Sequence, residues 1–147
     1  MKKTIIFLFA ITAFVSIALA NDEPGIPKGL EKSFHENFPG AMGIVWEKKD
    51  DINVADFKEN GIRHFAYFDA NSSFLGVVRY ITTDYMPFKT INELKKKYGD
   101  FGKMNAVEVS VDNGETFYFL NVIHRDKVKT IKVYPNGSSE IMRNNSN

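Results

Sequence analysis

The side chains best suited to catalysis or metal binding are scattered along this chain. Its three histidines, His35, His64 and His124, lie far apart, and no spacing typical of metal ligands links them. There is no cysteine, and the motifs of serine hydrolases, zinc proteases and phosphate-binding loops are missing. The sequence therefore predicts no catalytic residue, no metal site, no cofactor and no enzyme activity.

One short segment has the alternating oxygen ligands of a calcium-binding loop. Asp69, Asn71 and Ser73 stand at every second position. The glycine that such a loop needs and the distant bidentate glutamate are both missing. A tight turn centred on Asn71 explains the pattern better, because asparagine tolerates the backbone conformations that turns require.

The elements that position these residues follow from the spacing of apolar side chains. After Pro27, the residues Leu30, Phe34 and Phe38 recur every four positions, which predicts a helix that ends at Pro39. From residue 43 the apolar period becomes two, as in half-buried strands. Four strands are predicted at 43–48, 51–58, 62–69 and 73–81, and the Asn-Gly pair at 60–61 is a strong hairpin signal.

The same layout then returns. A second helix is predicted after Pro87, followed by strands at 105–111, 115–124, 127–134 and 138–143. The fold class is therefore α+β, a tandem repeat of one helix plus a four-stranded antiparallel sheet. The repeats span residues 21–81 and 82–143, and residues 144–147 form a polar tail. Because each unit is small for independent stability, the two are expected to share one sheet or one core.

Strand register predicts which face of the first repeat is the core. Counting from the turn at 60–61 places Ala55 opposite Ala66 and Phe57 opposite His64, and opposite side chains share a face. This face is predicted to lie under the first helix with Trp46 as a packing anchor; an exposed Trp46 that stacks on a ligand is the alternative. Its other predicted members are Ile44, Gly76, Phe68, Phe74 and Tyr80.

The opposite face has an apolar centre with charged margins, which is the composition of a recognition surface. A solvated sheet face would be mostly polar. We therefore predict that this face binds a partner; the alternative is that the second repeat or a second copy of the protein covers it. The predicted partner-binding residues are Val54, Asp56, Arg63, Phe65, Tyr67, Leu75, Val77 and Arg79.

The N-terminus predicts export. Lys2 and Lys3 precede an apolar run at 5–19, and small residues at Ala18 and Ala20 are typical of a cleavage site, so residues 1–20 are predicted to be a signal peptide. An uncleaved anchor is the alternative, but the run of about 15 residues is short of the roughly 20 that span a bilayer. Without a cysteine the protein is not a lipoprotein. We expect a periplasmic or secreted protein with no stable membrane insertion after cleavage.

The charge balance excludes a nucleic-acid-binding protein. Without Lys2 and Lys3, the chain has 17 Lys and Arg residues against 18 Asp and Glu residues. Binding to a phosphate backbone needs a clustered basic surface.

Several short motifs, in their order and spacing, resemble PepSY-like proteins that Bacteroidetes export. They lie at residues 26–30, 38–41, 45–48, 55–57, 60–61 and 66–69. Such proteins are also described as β-lactamase-inhibitor-like, and the resemblance implies a tandem repeat of helix plus antiparallel sheet. The inhibitors bind an enzyme with the concave sheet face and protruding hairpins, and PepSY domains are associated with peptidase propeptides. The second repeat matches in layout only, and no inhibitory residue can be matched.

These observations predict an exported, non-catalytic binding module, with inhibition or regulation of a hydrolase as one role. Its partner is an unidentified protein that contacts the apolar sheet face. The alternatives are a periplasmic carrier of a small ligand or peptide, an envelope accessory protein, and a homodimer that uses the same face.

Overall fold

The computed structural model describes residues 26–124 and 127–144, so the predicted signal peptide lies outside the described residues. Two helices and eight strands follow one another in the order of the chain. Their bounds are α1 Lys28–Asn37, β1 Met42–Lys49, β2 Ile52–Glu59, β3 Ile62–Phe68, β4 Phe74–Thr82, α2 Phe88–Tyr98, β5 Asn105–Val111, β6 Thr116–His124, β7 Lys127–Val133 and β8 Ser139–Asn144, with a short 3-10 turn at Thr83–Tyr85 between β4 and α2.

The strands form one antiparallel sheet in which each strand pairs with the next, in the order β1 to β8. The α+β class and the shared sheet are thus confirmed, and each helix precedes four strands. That the two halves are repeats of one unit stays a prediction. Neither helix of the described residues has the length and hydrophobicity of a membrane span.

Both helices pack on the same side of the sheet, which we call the helix face. Leu30 and Phe34 of α1 are buried against Ala55 and Ala66, whose small side chains let the helix approach. Leu94 of α2 is buried against a second cluster on the same face. The members of that cluster on the strands include Ile81, Ala106, Leu120, Ile131 and Val133.

Aromatic rings fill the space under α1. Phe34 has its ring centroid 5.0 Å from that of Phe57 and 5.3 Å from that of Trp46, both in edge-to-face geometry. The ring centroid of Trp46 also lies 5.9 Å from that of Phe68. Trp46 is therefore a packing residue of the core, as predicted. The β1–β2 turn lies one residue later than a two-residue turn at Lys49-Asp50 would, since Lys49 pairs with Ile52. This shift of two in the pairing leaves Trp46 on its predicted face.

A bulge in β4 corrects the predicted faces of this strand. Phe68 pairs with Phe74 as expected, but Tyr67 pairs with Gly76, so Leu75 is an extra residue. A one-residue insertion turns the rest of the strand over. Val77 and Arg79, predicted on the partner-binding face, therefore lie on the helix face. Gly76 and Tyr80, predicted on the core face under α1, lie on the opposite face.

The segment from Asp69 to Ser73 is a turn, as predicted. One carboxylate oxygen of Asp69 accepts hydrogen bonds from the backbone N–H groups of Asn71 and Ser73, at 2.9 and 2.8 Å. The left-handed conformation falls on Ser72 rather than Asn71. Among the described residues, no group of three or more His, Asp or Glu side chains could hold a metal ion.

Candidate binding face

The second side of the sheet, which we call the helix-free face, carries no helix in the described part of the chain. At its centre lies a third apolar cluster that joins the two halves of the protein. Its buried members are each at most 7% exposed: Val54, Phe65, Tyr67, Val78 and Val109. The predicted residues Val54, Phe65 and Tyr67 are thus brought together, but as core. Leu75 packs beside them, with Val107, Val111, Phe117 and Phe119 from the second half.

Burial at this centre changes the chemistry of a tyrosine. Desolvation, with a smaller contribution from the nearby Tyr80, raises the pKa of Tyr67 to about 12. The phenol is therefore neutral at any physiological pH. A neutral, buried hydroxyl is consistent with a packing role for Tyr67 rather than a catalytic one.

At the charged margin of this face, Asp56 and Arg63 form an ion pair with each other. Arg63 Nε donates to Asp56 Oδ1 at 2.9 Å and Arg63 Nη2 donates to Asp56 Oδ2 at 2.5 Å, which is a bidentate pair. The guanidinium also lies 4.8 Å above the ring of Phe65. Asp56 and Arg63 thus share the helix-free face, as predicted, and they cover the edge of the buried cluster.

The other predicted charged residue, Arg79, lies on the helix face and forms an ion pair there. Its Nε donates to Glu108 Oε1 at 2.7 Å, and the side chain of Glu108 is almost completely buried. His64 lies opposite Arg79, stacks on Phe57 and contacts the carbonyl of Ile62 through Nδ1 at 2.8 Å. Burial lowers the pKa of His64, and the charge of Arg79 lowers it further. His64, Arg79 and Glu108 are thus neighbouring polar groups with a structural role, as expected for a partly buried histidine.

An open groove of about 680 Å³ lies on the helix-free face, near the ends of β4 to β7. This volume is in the range of ordinary ligand pockets. Residues from both faces of the strands are among those that line it. The lining residues are Ile62, Tyr80, Ile81, Thr82, Tyr85, Asn105, Ala106, Val107, Phe119, Leu120, Asn121 and Thr130.

Register explains why polar side chains meet in this groove. Thr82 pairs with Asn105, and Asn121 pairs with Thr130. Because Ala106 pairs with Leu120, the two pairs continue one line across four strands. We call Thr82, Asn105, Asn121 and Thr130 the polar row. The next line on the same face is apolar, since Tyr80 pairs with Val107 and Val107 with Phe119.

Large exposed side chains surround the groove. Tyr80 is 49% exposed and Tyr85, on the turn after β4, is 60% exposed. Ile123 and Val128 face each other on the β6–β7 hairpin and are 72% and 43% exposed. Exposed apolar groups gathered around a concavity mark a contact surface.

Sequence reasoning missed this part of the face. The signal for the bulge was available, because an isolated glycine inside a strand pattern, here Gly76, indicates a bulge. The signal for the polar row was the alternation of Asn105 and Asn121 with apolar neighbours. The register of β4 to β7 brings Asn105 and Asn121 next to each other on one face of the sheet.

Comparison with known proteins places the fold. No family model matches the chain, and no curated protein matches it. Solved structures do match. A DUF2874 family protein from Bacteroides uniformis has 22% identity and a TM-score of 0.65, with coverage of 81% of this chain and 88% of that chain. A BLIP-like protein from Bacteroides fragilis has 19% identity and a TM-score of 0.69, with coverage of 86% and 94%.

A third match is a candidate periplasmic protein from Bacteroides eggerthii, with 21% identity, a TM-score of 0.64 and coverage of 80% of this chain and 86% of that chain. Likeness at this level of identity transfers a fold and not a target. The predicted resemblance to PepSY-like proteins stays a prediction. The chain has the α+β fold of BLIP-like and DUF2874 proteins from Bacteroides.

Proposed function

We propose that this protein is an exported, non-catalytic module that binds a partner protein through the helix-free face of its C-terminal half. The observation that carries this proposal is the exposure of Tyr80, Tyr85, Ile123 and Val128 around an open groove. Aromatic and aliphatic side chains of this kind form the anchors of protein interfaces. Export rests on the signal peptide predicted at residues 1–20.

The proposed contact surface lies away from the residues that the sequence predicted, Phe65 and Tyr67. Phe65 and Tyr67 are buried, so a large partner reaches them only after the sheet face has been disturbed. Asp56 and Arg63 stay at the margin of the face. The β6–β7 hairpin forms the protruding part of the surface. β5 begins at Asn105, and its last pair with β6 joins Ala106 to Leu120, so the hairpin extends beyond the end of β5.

Inhibition of a hydrolase is the role that we propose for this binding. Its support is the fold shared with a BLIP-like protein. Such a role needs only a complementary surface and no reactive group, which agrees with the structural roles of His64 and Glu108 on the helix face.

Affinity capture from the producing cell's envelope fraction tests the proposal. We expect the wild-type protein to recover a partner that an Ile123→Ser, Val128→Ser double variant recovers at least about tenfold less, because burial of two aliphatic side chains contributes a few kcal/mol. Phe88→Ser is the matched control, since Phe88 is 80% exposed on α2, away from this face. Equal recovery by the wild type and the double variant would rule out this surface.

A small-ligand carrier is the second candidate, and the groove favours it. A ligand that binds the folded state raises the thermal midpoint by mass action. A shift of the midpoint with lipids, peptides or glycans, together with no captured protein, would support the carrier over the protein-binding module.

A further inference from the structure

We infer that the groove on the helix-free face binds a neutral oligosaccharide. This inference rests on the second candidate function, the carrier, and names its ligand class. It starts from the lining of the groove. Among the described residues, the groove is lined by hydroxyl, amide, aromatic and aliphatic side chains and by no charged one.

The polar row has unused hydrogen-bonding capacity. The Thr82 hydroxyl oxygen is buried and has no hydrogen-bond partner among the described residues. Thr130 donates to Asn121 Oδ1 at 2.8 Å, which leaves the two N–H donors of that amide to point elsewhere. Buried polar groups are normally satisfied, so an unsatisfied one beside a concavity points to a ligand or water that completes it.

The aromatic part of the groove supplies the complementary chemistry. Tyr80 and Tyr85 are about half exposed and flank the polar row. Sugar rings have an apolar face of C–H groups and an edge of hydroxyl groups. An aromatic ring beside amides and hydroxyls matches both properties, because the ring takes the apolar face and the amides donate to and accept from the hydroxyls.

Other ligand classes fit less well. A phosphate or carboxylate needs a cation, and Lys132, which pairs with Phe119 of the groove lining, is held over the rings of Phe117 and Tyr134, at 4.3 and 4.9 Å. Arg143 pairs with Thr130 at the end of the polar row, so an anionic hexagalacturonate is the comparator that tests an acidic ligand. A purely apolar ligand would bury the polar row without hydrogen bonds, which costs free energy.

A peptide strand also fits less well. The groove lies on the face of paired strands, so the backbone groups of β4 to β7 are already used in the ladders. An added strand needs an open sheet edge for its main-chain bonds. Recognition here must use side chains, which favours a ligand with many hydroxyl groups.

Backbone amide NMR titration of the purified, isotope-labelled protein tests the inference. The probes are maltohexaose, cellohexaose, xylohexaose and mannohexaose, with hexagalacturonate and an end-blocked, uncharged hexapeptide as comparators. We expect one neutral hexasaccharide to shift the amide signals of Asn105 and Asn121 with a dissociation constant below about 1 mM.

The variants locate the site. A Tyr85→Ala, Asn121→Ala double variant should weaken that binding at least about tenfold, because it loses one aromatic contact and one hydrogen-bonding amide. Phe88→Ala, which also removes an exposed aromatic ring but at a residue that does not line the groove, should leave the affinity as it is. No binding by any neutral hexasaccharide, preference for a comparator, or full binding by the double variant would overturn the inference. Failure here leaves the captured protein partner as a separate result.

Discussion

Single residues of this protein divide sharply into structural and surface roles. Three residues of types that often serve in active sites are instead held by hydrogen bonds on the helix face: His64, Arg79 and Glu108. Tyr80 and Tyr85 are exposed aromatic groups beside the groove. The structural role of His64 was predictable from its position opposite Phe57. The partner of Arg79 was not, because it comes from the other half of the chain.

Acidification should destabilise the protein partly through His64. The pKa of His64 is lowered below its ordinary value of 6.5, chiefly by burial. As the pH falls below about 6.5 the unfolded chain takes up this proton before the folded one, so the stability present above that pH is progressively lost. The groups that face the imidazole and modify this effect are Arg79, Glu59 and Glu108.

Denaturant unfolding at pH 7.5 and pH 5 measures this loss. His64→Phe keeps the stacking on Phe57 and removes the titration, so it should lose less free energy of unfolding between the two pH values than the wild type does. At pH 7.5 it should be roughly 1 kcal/mol less stable, because the carbonyl of Ile62 loses its hydrogen bond. His35→Gln, at an exposed position of α1, is the control. An unchanged acid loss in His64→Phe would contradict this account.

The Arg79–Glu108 pair gives a second prediction. Arg79→Ala leaves the Glu108 carboxylate buried without its cation, and we expect about 2–3 kcal/mol of destabilisation, below the full cost of a buried pair because Arg79 is about one-third exposed. Arg79→Met with Glu108→Leu should recover most of the loss, since no charge then remains buried. Urea unfolding of the two variants compares them. A loss below about 0.5 kcal/mol in Arg79→Ala would mean that the pair is effectively solvated.

Among the elements, β4 decides which side chains reach the candidate surface. Helix and strand positions were predictable to within one or two residues, because the apolar period and the Pro, Gly and Asn signals are local. The faces of β4 beyond Leu75 were not predicted, since one extra residue reverses them. A local signal, Gly76, was present but gives no position for the extra residue.

Two neighbouring substitutions test the bulged register. Tyr80→Lys should cost less than about 1.5 kcal/mol, because Tyr80 is about half exposed and its ring contact with Phe65 is edge-to-face. Ile81→Lys should cost more than about 3 kcal/mol, because it puts a charge into the core under α2. A register without the bulge gives the opposite order. Thermal or chemical unfolding of the two variants therefore decides between the registers.

The edge strands give a prediction about association. β1 and β8 each carry a bulge, between Met42 and Val45 and opposite Thr130 and Ile131. Bulges at sheet edges hinder edge-to-edge pairing. We expect no strand-mediated dimer at micromolar concentration, as measured by sedimentation. A mass that rises with concentration, together with loss of the effect in an Ile141→Lys variant of β8, would instead support a dimer through the β8 edge.

At the scale of the whole molecule, the single sheet separates a packed side from a usable side. Both helices seal the helix face, and the centre of the helix-free face joins the two halves as a core. The part of the helix-free face that surrounds the groove is its outer, C-terminal part, with Tyr80, Ile123 and Val128 exposed. The sequence predicted a binding face centred on Val54, Phe65 and Tyr67, which the structure shows buried, because burial across the halves depends on pairing between β4 and β5. Where a partner binds stays a prediction.

Site-specific photocrosslinking tests this central claim most directly. A benzophenone amino acid is placed at Tyr85, beside the groove, or at Phe88, on α2, and each protein is irradiated in the envelope fraction of the producing cell. The account predicts a discrete crosslinked protein from position 85 and none from position 88. A product from position 88 with none from position 85 would show that the partner binds the helix side of the sheet, and would contradict the account.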